Sequence, residues 1–475
     1  MPVRAVPLLL IAAVVIAGCA ATGPIAERRP AVAVPESWQA RGTPGEGQVL
    51  AWLEGFRDPA LADLVEEAVA RNFELQAAAS RVSAARTQAR IAGADPLPEL
   101  QVTAGASRAK RSGINQAGFV ENPSNSYELR GQLSWEADLW GRLNDSTRAA
   151  KADWRAAAAD YQAARLSLAA NIARRWFDVI ESRSQTRLAR DTVGSFEKSL
   201  ETIENRYRQG IGEALDVRLA RNNLATARAI LSQRQREQRN LVRTLETLLG
   251  RYPAGAMAQL PDTLPDISSG VPSGLPAELL ERRPDLLAAS ARLEAAGFRL
   301  SGADKNRLPG ITLTAGGGTA SDVLKDLVDL DFFVWTLAAN LVQPVFRGGR
   351  LAAERDLAEA RDDEALNSYA QTALTAFREV EDALDSETWL VEQFRASRTA
   401  AEEARAAETL ALDQYRRGLT GIITLLESQR RKFNADSALI EVINLRLQNR
   451  INLHLALGGD FASTSVPQTA STEPR

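Results

Sequence analysis

The residue types that usually perform catalysis or bind metals are almost absent from this chain. Its 475 residues include one cysteine, Cys19, and one histidine, His454, which excludes an internal disulfide and a metal site built from several Cys and His ligands. The sequence contains no HExxH, GxSxG, Walker A or GxGxxG motif. We therefore expect no enzymatic activity, no bound metal and no cofactor other than a lipid, and we interpret His454 as a packing or capping residue.

Cys19 follows a segment typical of export signals. Arg4 precedes the apolar run VPLLLIAAVVIAG, which has the length of a signal-peptide core and is short for a membrane span. The run ends in IAGCA, which resembles the lipobox of bacterial lipoproteins, where the cysteine is acylated and becomes the first residue of the mature protein. We therefore predict a lipoprotein signal peptide at 1–18, an acyl lipid anchor on Cys19, an extended linker at 19–50 and a disordered tail at 461–475.

Charge is abundant but balanced. The chain has 57 Lys and Arg against 60 Asp and Glu, a formal net charge of -3, and an isoelectric point near 5.7. Proteins that bind nucleic acid usually carry a basic surface. Nucleic acid is therefore not an expected partner.

The chain contains the same segment twice. Residues 72–107 align without gaps on 283–318, and residues 133–250 align on 341–458. PLPELQVTAG thereby matches RLPGITLTAG, and YRQG matches YRRG. The second alignment is offset slightly less than the first, and the missing positions fall between two strand-like stretches, where a loop absorbs a deletion easily. We predict a tandem duplication of roughly two hundred residues.

Each repeat is predicted to contain a helix, two strands and two very long helices. Residues 351–417 contain neither Gly nor Pro, and a helix of that length would extend about 100 Å. The first repeat is placed at 51–270, with strands at about 97–109 and 126–140 and long helices at about 142–209 and 212–250. The second is placed at 271–460, with a helix at about 284–305, strands at about 308–319 and 332–346, and long helices at about 347–417 and 420–458. Between the strands we expect loops at 108–125 and 318–331, and the predicted hairpin turns contain Gly210, Gly212, Gly418 and Gly421.

The second predicted strand alternates between apolar and polar residues. Tyr127, Leu129, Leu133 and Trp135 share one side, and the predicted lumen-facing side carries Glu128, Arg130, Glu136 and Asp138. Strands of about 9 to 11 residues span a membrane when tilted, and charged residues suit an aqueous lumen better than lipid. Four strands cannot close a barrel, and an open sheet edge cannot lie in hydrocarbon, so we expect the chain to oligomerise. Two copies would give a filled barrel, whereas three or more would leave a channel, which the charged face favours.

The order of these features is similar to that of a known family. The motifs are the lipobox, PLPELQVTAG and RLPGITLTAGG at the first strands, LSWEADLWGR and LVQPVFRGGR at the second strands, ERRPDL, and YRRGLTGIITLLESQR at the hairpin. Together they resemble the outer-membrane efflux proteins (TolC/OprM-like), and most closely their lipoprotein, NodT-like branch. The resemblance covers nearly everything between residues 50 and 460.

This resemblance implies both a fold and a function. The implied fold is mainly α with a transmembrane β-barrel: a homotrimer with a twelve-stranded barrel in the outer membrane of a Gram-negative bacterium and a twelve-helix periplasmic α-barrel. The implied function is that of the passive channel component of a tripartite efflux system. Its implied partners are outer-membrane lipid, a periplasmic adaptor (membrane fusion) protein and an inner-membrane pump of the resistance-nodulation-division (RND) type.

The resemblance also places a closed periplasmic gate at the hairpin tips. By position in the motif, the implied constriction is formed by Glu427, Asp216, Ile423 and Thr424. Arg416 and Arg417 lie one turn away, and we expect them to pair with the two carboxylates and hold the gate shut. A simpler interpretation is that both carboxylates are solvated residues at helix starts, where the helix dipole favours negative charge.

Two other interpretations remain open at this point. A conduit for type I protein secretion would share all of these features. A periplasmic lipoprotein adaptor or another coiled-coil scaffold would also have an export signal, a lipid anchor and long helical hairpins. Adaptors, however, carry one hairpin inserted in other domains and no duplicated pair of membrane-length strands, which favours the channel.

Overall fold

The computed structural model describes residues 34–35, 39, 52–115, 118–257, 260–267, 280 and 282–459. The first repeat comprises α1 (Pro59–Arg71), α2 (Phe73–Ala94), β1 (Glu99–Asn115), β2 (Gly118–Ala137), α3 (Arg142–Arg208) and α4 (Ala214–Leu248). The second comprises α5 (Pro284–Lys305), β3 (Gly310–Ser321), β4 (Phe333–Val342), α6 (Arg350–Arg416) and α7 (Ile422–Ala456). Short 3-10 helices lie at Glu54–Phe56, Leu324–Val328 and Leu330–Phe332. The predicted signal peptide, Cys19, the tail and most of the linker lie outside the described residues.

The duplication is visible in the lengths of the elements. Helices α2 and α5 have 22 residues each, α3 and α6 have 67, and α4 and α7 have 35. Each of these helices begins at the position that the sequence alignment of the two repeats makes equivalent to the start of its counterpart. The region predicted as a single helix in the first repeat is divided at Asn72, whose side chain donates to the Leu248 carbonyl oxygen at 3.0 Å.

The β1–β2 hairpin is longer than the sequence predicts. Antiparallel pairing runs from Glu99 with Ser134 to Asn115 with Gly118, so that 108–115 and 118–125, which we expected to be loop, belong to paired strands. These stretches contain Gly, Asn, Ser and Pro, which are typical of loops. Ladder hydrogen bonds are made by the backbone, so the hairpin tolerates the Gly, Asn and Ser residues. Pro123 lies in the part of β2 that pairs with β1 alone, and a proline is tolerated where one side of a strand is unpaired.

The second strand of each repeat ends earlier than predicted. Strand β4 ends at Val342 and not at 346, because Pro344 has no N–H to donate to a ladder. Strand β2 ends at Ala137, and the Asp138 carboxylate accepts a hydrogen bond from the Asn144 N–H at 2.9 Å, at the start of α3. Asp138 therefore lies just beyond the strand in which it was predicted.

The described chain divides into two compact units, and the first contains the sheet. This unit includes Ser83–Ala157 and Ala289–Ala370. Its four strands are antiparallel in the order β1-β2-β3-β4, so β1 and β4 are the edges. One cross-strand row consists of Leu100, Leu133, Ala315 and Leu337, and the adjacent row consists of Gln101, Gln132, Gly316 and Thr336. Because successive residues point to opposite faces, the sheet has one apolar face and one polar face.

Polar contacts fix the ends of the strands to the adjoining helices. The indole N–H groups of Trp135 and Trp140 donate to the carbonyl oxygens of Pro96 and Pro309, at 2.9 and 2.7 Å. Asp145, in the first turn of α3, is 2% exposed and accepts from Lys305 Nζ at 2.6 Å. A buried carboxylate requires such a partner, and this ion pair therefore links α3 to α5.

The second unit is helical and comprises the described residues of Val32–Val82, Ala158–Ala288 and Gln371–Arg475. Its largest fully buried side chains include Trp176 and Phe177. The Trp176 indole N–H donates to Asp58 Oδ2 at 2.6 Å, while Asp58 Oδ1 accepts from the N–H groups of Ala60 and Leu61 and so caps α1. Within the described part of the chain, no helix combines the length and the apolar composition needed to cross a membrane.

Candidate functional site

Two tight turns join the paired long helices in the second unit. After α3, the Gly210 N–H bonds to the Tyr207 carbonyl oxygen and the Ile211 N–H to that of Arg206, at 3.0 Å each. After α6, the N–H groups of Gly418 and Leu419 make the equivalent bonds. This is a Schellman motif, whose key residue adopts a positive φ, here +77° at Gly210 and +74° at Gly418. The predicted turn residues Gly212 and Gly421 lie in the same turns.

An apolar cluster lies directly behind the turns and joins the two hairpins. It contains Ile203 from α3, Val217 from α4, Tyr415 from α6 and Leu425 from α7, all nearly fully buried. Each side chain of this kind contributes about 1.5 to 3 kcal/mol when it is buried. The four helix ends therefore form one packed body, which we call the hairpin tip.

Glu427 lies in the second turn of α7 and is half-buried. Its carboxylate accepts hydrogen bonds from Arg431 Nε at 2.8 Å and from Arg430 Nη2 at 2.7 Å. These hydrogen bonds, the one from Arg431 first, hold the pKa of the Glu427 carboxyl below its usual value. The side chain is therefore a carboxylate at neutral pH, and two guanidinium groups neutralise it.

Within the protomer, Arg416 and Arg417 do not form the predicted ion pairs with the tip carboxylates. Arg417 Nη2 pairs with Asp413 Oδ2 at 3.1 Å, one turn back on α6, and the partners of Glu427 come from α7. Among the described residues, Arg416 forms no ion pair with Glu427 or Asp216. The reason is geometric, because residues three or four apart on one helix meet more easily than residues on either side of a turn. The same spacing rule, applied to Arg430 and Arg431, would have identified the true partners.

The other predicted gate residues occupy the same hairpin tip as Glu427. Asp216 is half-buried in the first turn of α4, where its negative charge acts on Tyr415. Burial, and to a smaller extent this charge, raise the pKa of the Tyr415 hydroxyl, and Arg206 lies over its ring at 5.2 Å. Ile423 is 72% exposed and Thr424 is also exposed, so neither contributes to the core of the tip.

The charged residues of β2 lie on the polar face of the sheet. Glu128 and Arg130 share this face with Gln132, since they are separated from it by even numbers of residues. Glu136 is also on this face, where it pairs with Arg142 at the start of α3 at 2.7 Å. The opposite, apolar face is exposed in the protomer, with Leu100 and Leu337 both more than 70% exposed.

No alternative chemistry emerges elsewhere in the described chain. Its His, Cys, Asp and Glu residues form no group suited to hold a metal ion. His454 lies against Trp52 and Phe56, with its ring centroid 5.8 and 6.4 Å from theirs. Burial, together with the nearby Arg450, lowers the pKa of its imidazole from 6.5 to about 4.

The fold and the tip together define a class of protein. A sheet with one exposed apolar face and one charged face is the construction of a membrane-embedded β-sheet around an aqueous path. Here each half of that sheet continues into a helical hairpin, and the hairpins end in a packed tip with exposed charged residues. This combination is that of a transport channel.

Comparison with known proteins identifies the family. The family model described as outer membrane efflux protein matches residues 64–251 and again 275–459. These two matches correspond to the two repeats, one match to each. The chain belongs to the outer membrane efflux protein family, and its location is the outer membrane.

Individual relatives are similar to this chain along almost its whole length. The pyoverdine export outer membrane protein OpmQ of Pseudomonas aeruginosa is 33% identical over 469 residues, which are 96% of this chain and 97% of OpmQ. The outer membrane protein OprJ of the same organism is 33% identical over 465 residues, covering 97% of this chain and 96% of OprJ. The solved outer-membrane channel OprN is 27% identical, with a TM-score of 0.84 over 91% of this chain and 99% of that structure. The predicted family, fold class and efflux function are thereby confirmed.

Proposed function

We propose that this chain forms a homotrimeric outer-membrane conduit, the passive exit channel of a tripartite efflux system. The observation that carries the proposal is the two-faced sheet with open edges at β1 and β4. In hydrocarbon, each unpaired backbone group on those edges would cost several kcal/mol. Pairing β4 of one copy with β1 of the next removes both edges, and three copies give a twelve-stranded barrel wide enough for a channel.

The proposed protein partners would bind at the hairpin tips. In this proposal the six hairpins of a trimer form a twelve-helix periplasmic barrel, whose tips meet a periplasmic adaptor. The adaptor connects the channel to an inner-membrane pump of the RND type, which supplies the energy. The channel performs no chemistry of its own, in agreement with relatives that are named as export and efflux components.

The proposed attachment to the membrane has two parts. The acyl chains on Cys19 would anchor the N-terminus, and the apolar face of the sheet would contact outer-membrane lipid. A single lipid anchor binds a membrane weakly, and two modes of contact together make the association stable. Within the linker, the Gln39 N–H donates to Glu381 Oε1 of α6 at 2.7 Å.

We propose that the hairpin tip is the gate of the channel. Glu427, Asp216, Ile423 and Thr424 would line its narrowest part. The support is their exposure or partial exposure beside the turns, whereas the apolar cluster of the tip is buried. In this proposal the gate is held closed by packing within and between protomers and by the Glu427 contacts on α7, not by Arg416 or Arg417.

Single-channel recording of the purified trimer in planar bilayers tests both the conduit and the gate. We expect small steps from the wild type and larger ones from Glu427→Ala, because the substitution removes the carboxylate that holds Arg430 and Arg431 in place. Glu402→Ala is the matched control, since Glu402 is an exposed glutamate that pairs with Arg398 at 3.0 Å on α6. Equal conductance in all three proteins would remove Glu427 from the gate, and a protein without channels or trimers would refute the conduit.

A further inference from the structure

The hairpin tip carries an excess of positive charge, although the chain as a whole is slightly acidic. We define the tip segments as residues 204–223 and 412–431, which are equivalent in the two repeats. They contain eight arginines, no lysine and five carboxylates, and therefore have a net charge of +3, whereas the whole chain has -3. The arginines are Arg206, Arg208, Arg218, Arg221, Arg416, Arg417, Arg430 and Arg431, and the carboxylates are Glu204, Glu213, Asp216, Asp413 and Glu427.

Local ion pairs do not cancel this excess. Glu204 pairs with Arg221 at 2.7 Å and Asp413 with Arg417 at 3.1 Å, one carboxylate to one arginine. Glu427 is shared by two arginines, so this group of three keeps a charge of +1. In the described part of the chain, the exposed residues Arg208, Arg218 and Arg416 form no ion pair.

The arginines of α7 point away from the core of the protomer. Ile423, Glu427 and Arg430 are separated by four and three residues and therefore share one face of the helix. Ile422, Leu425 and Leu426, which lie between or beside these positions along the helix, are buried in the apolar cluster of the tip. The side chains of Arg430 and Arg431 are 66% and 74% exposed, so they are available to whatever lies outside the protomer.

We propose that the hairpin tips make the periplasmic entrance of this channel selective for anions, and that its cargo consists of small organic anions. This inference rests on the proposed function, because it requires three tips to surround one opening. Three copies would bring a net charge of +9 to that opening. An opening lined by one sign of charge concentrates ions of the opposite sign and speeds their entry. Arginines within a Debye length of the opening, about 8 Å at physiological ionic strength, contribute to this potential whether or not they line the lumen.

The measurement is the reversal potential of the purified trimer in a planar bilayer under a potassium chloride gradient. We expect the wild type to pass chloride in preference to potassium, and the preference to decrease at high salt, where screening shortens the range of charge. The variant R430Q/R431Q lowers the tip charge to +1 per protomer, and the permeability ratio of chloride to potassium should fall roughly twofold or more. E427Q raises the tip charge and should change the ratio in the opposite direction.

A matched control separates this effect from a general loss of arginine. R378Q/R395Q removes two exposed arginines of α6 that pair with Asp382 and Glu392, outside the tip segments, and should leave the ratio unchanged. A cation-selective wild type, or a ratio unaffected by R430Q/R431Q, would overturn the inference while leaving the channel intact. If that variant instead bound an acidic adaptor less tightly at an unchanged ratio, the arginines would be a docking surface. A protein that forms no conducting trimer would overturn the inference together with the proposed function.

Discussion

An arginine placed on the apolar face of the sheet tests whether that face meets lipid. Leu133 lies in the cross-strand row that contains Leu100, Ala315 and Leu337, and this row crosses β3 and β4 near their middles. Its neighbour Gln132 points to the polar face. Leu133→Arg and Gln132→Arg thus introduce the same side chain at nearly the same depth, on opposite faces of one strand.

The expected difference between the two variants is large. An arginine on the lipid face of a membrane barrel costs about 2 to 4 kcal/mol near the middle of the bilayer, and much less on the lumen side. In a trimer the substitution occurs three times, so Leu133→Arg should destabilise the assembly by about 6 to 12 kcal/mol. Gln132→Arg adds a charge to a face that already contains Glu128 and Arg130 and should change stability little.

The assay is the guanidine-induced unfolding of protein refolded into phospholipid vesicles, supported by the yield of heat-resistant trimer in outer-membrane extracts. We expect a strong loss for Leu133→Arg and near wild-type behaviour for Gln132→Arg. Equal effects of the two substitutions, or a greater effect of Gln132→Arg, would refute the assignment of the faces.

Three further predictions concern the helical unit. Arg283 is buried and donates to Asp285, Glu379 and the Ala456 carbonyl oxygen. Arg283→Met should therefore lower the stability of the trimer by about 2 to 3 kcal/mol. Arg378→Met, at an exposed ion pair, should lower it by less than about 1 kcal/mol, and thermal melting of the trimer measures both effects. Gly418→Ala should lower the free energy of unfolding by about 1 to 2 kcal/mol, because φ at Gly418 is +74°. Gly421→Ala in the same turn should lower it much less, because φ there is -82°. Comparable melting temperatures of the two variants would contradict this prediction. Since His454 is the single histidine, its NMR signal needs no assignment, and its titration midpoint should lie near 4; a midpoint above 6 would refute the burial argument. His454 of the unfolded chain binds a proton below about pH 6.5, whereas His454 of the folded chain binds it only near pH 4. The free energy of unfolding is therefore unaffected by His454 above pH 6.5 and decreases as the pH falls from 6.5 toward 4.

The repeat, the helices and the two-faced sheet could be predicted from the sequence because they depend on periodic patterns. The alignment of the two repeats placed α6 and α7 on α3 and α4, and strict alternation identified β2. Both signals extend over many residues, so errors at single positions do not change the result. Helix ends differ from the predicted bounds by at most three residues, because caps and final turns depend on local geometry.

Features that depend on which residues pair with each other were harder to predict from the sequence. Nothing in the composition of 108–125 indicates strand, since its pairing is a property of two segments and not of either one. At the tip, motif position located Glu427 correctly on the hairpin, but the turn separates it from Arg416 and Arg417, and its partners follow it on α7. Strand β2 ends before Asp138, whose carboxylate helix α3 uses at its N-terminus.

The open edges of the sheet have a genetic consequence. In the proposed trimer a single protomer, whose edges at β1 and β4 are unpaired, is not a functional unit, and each copy pairs with its neighbours on both sides. A subunit that assembles but blocks the path would therefore inactivate the intact copies that it joins. In a cell that produces intact and blocked subunits in equal amounts, most assemblies would contain at least one blocked copy. Such an allele would be dominant over the wild type, whereas an allele that prevents folding before assembly would be recessive.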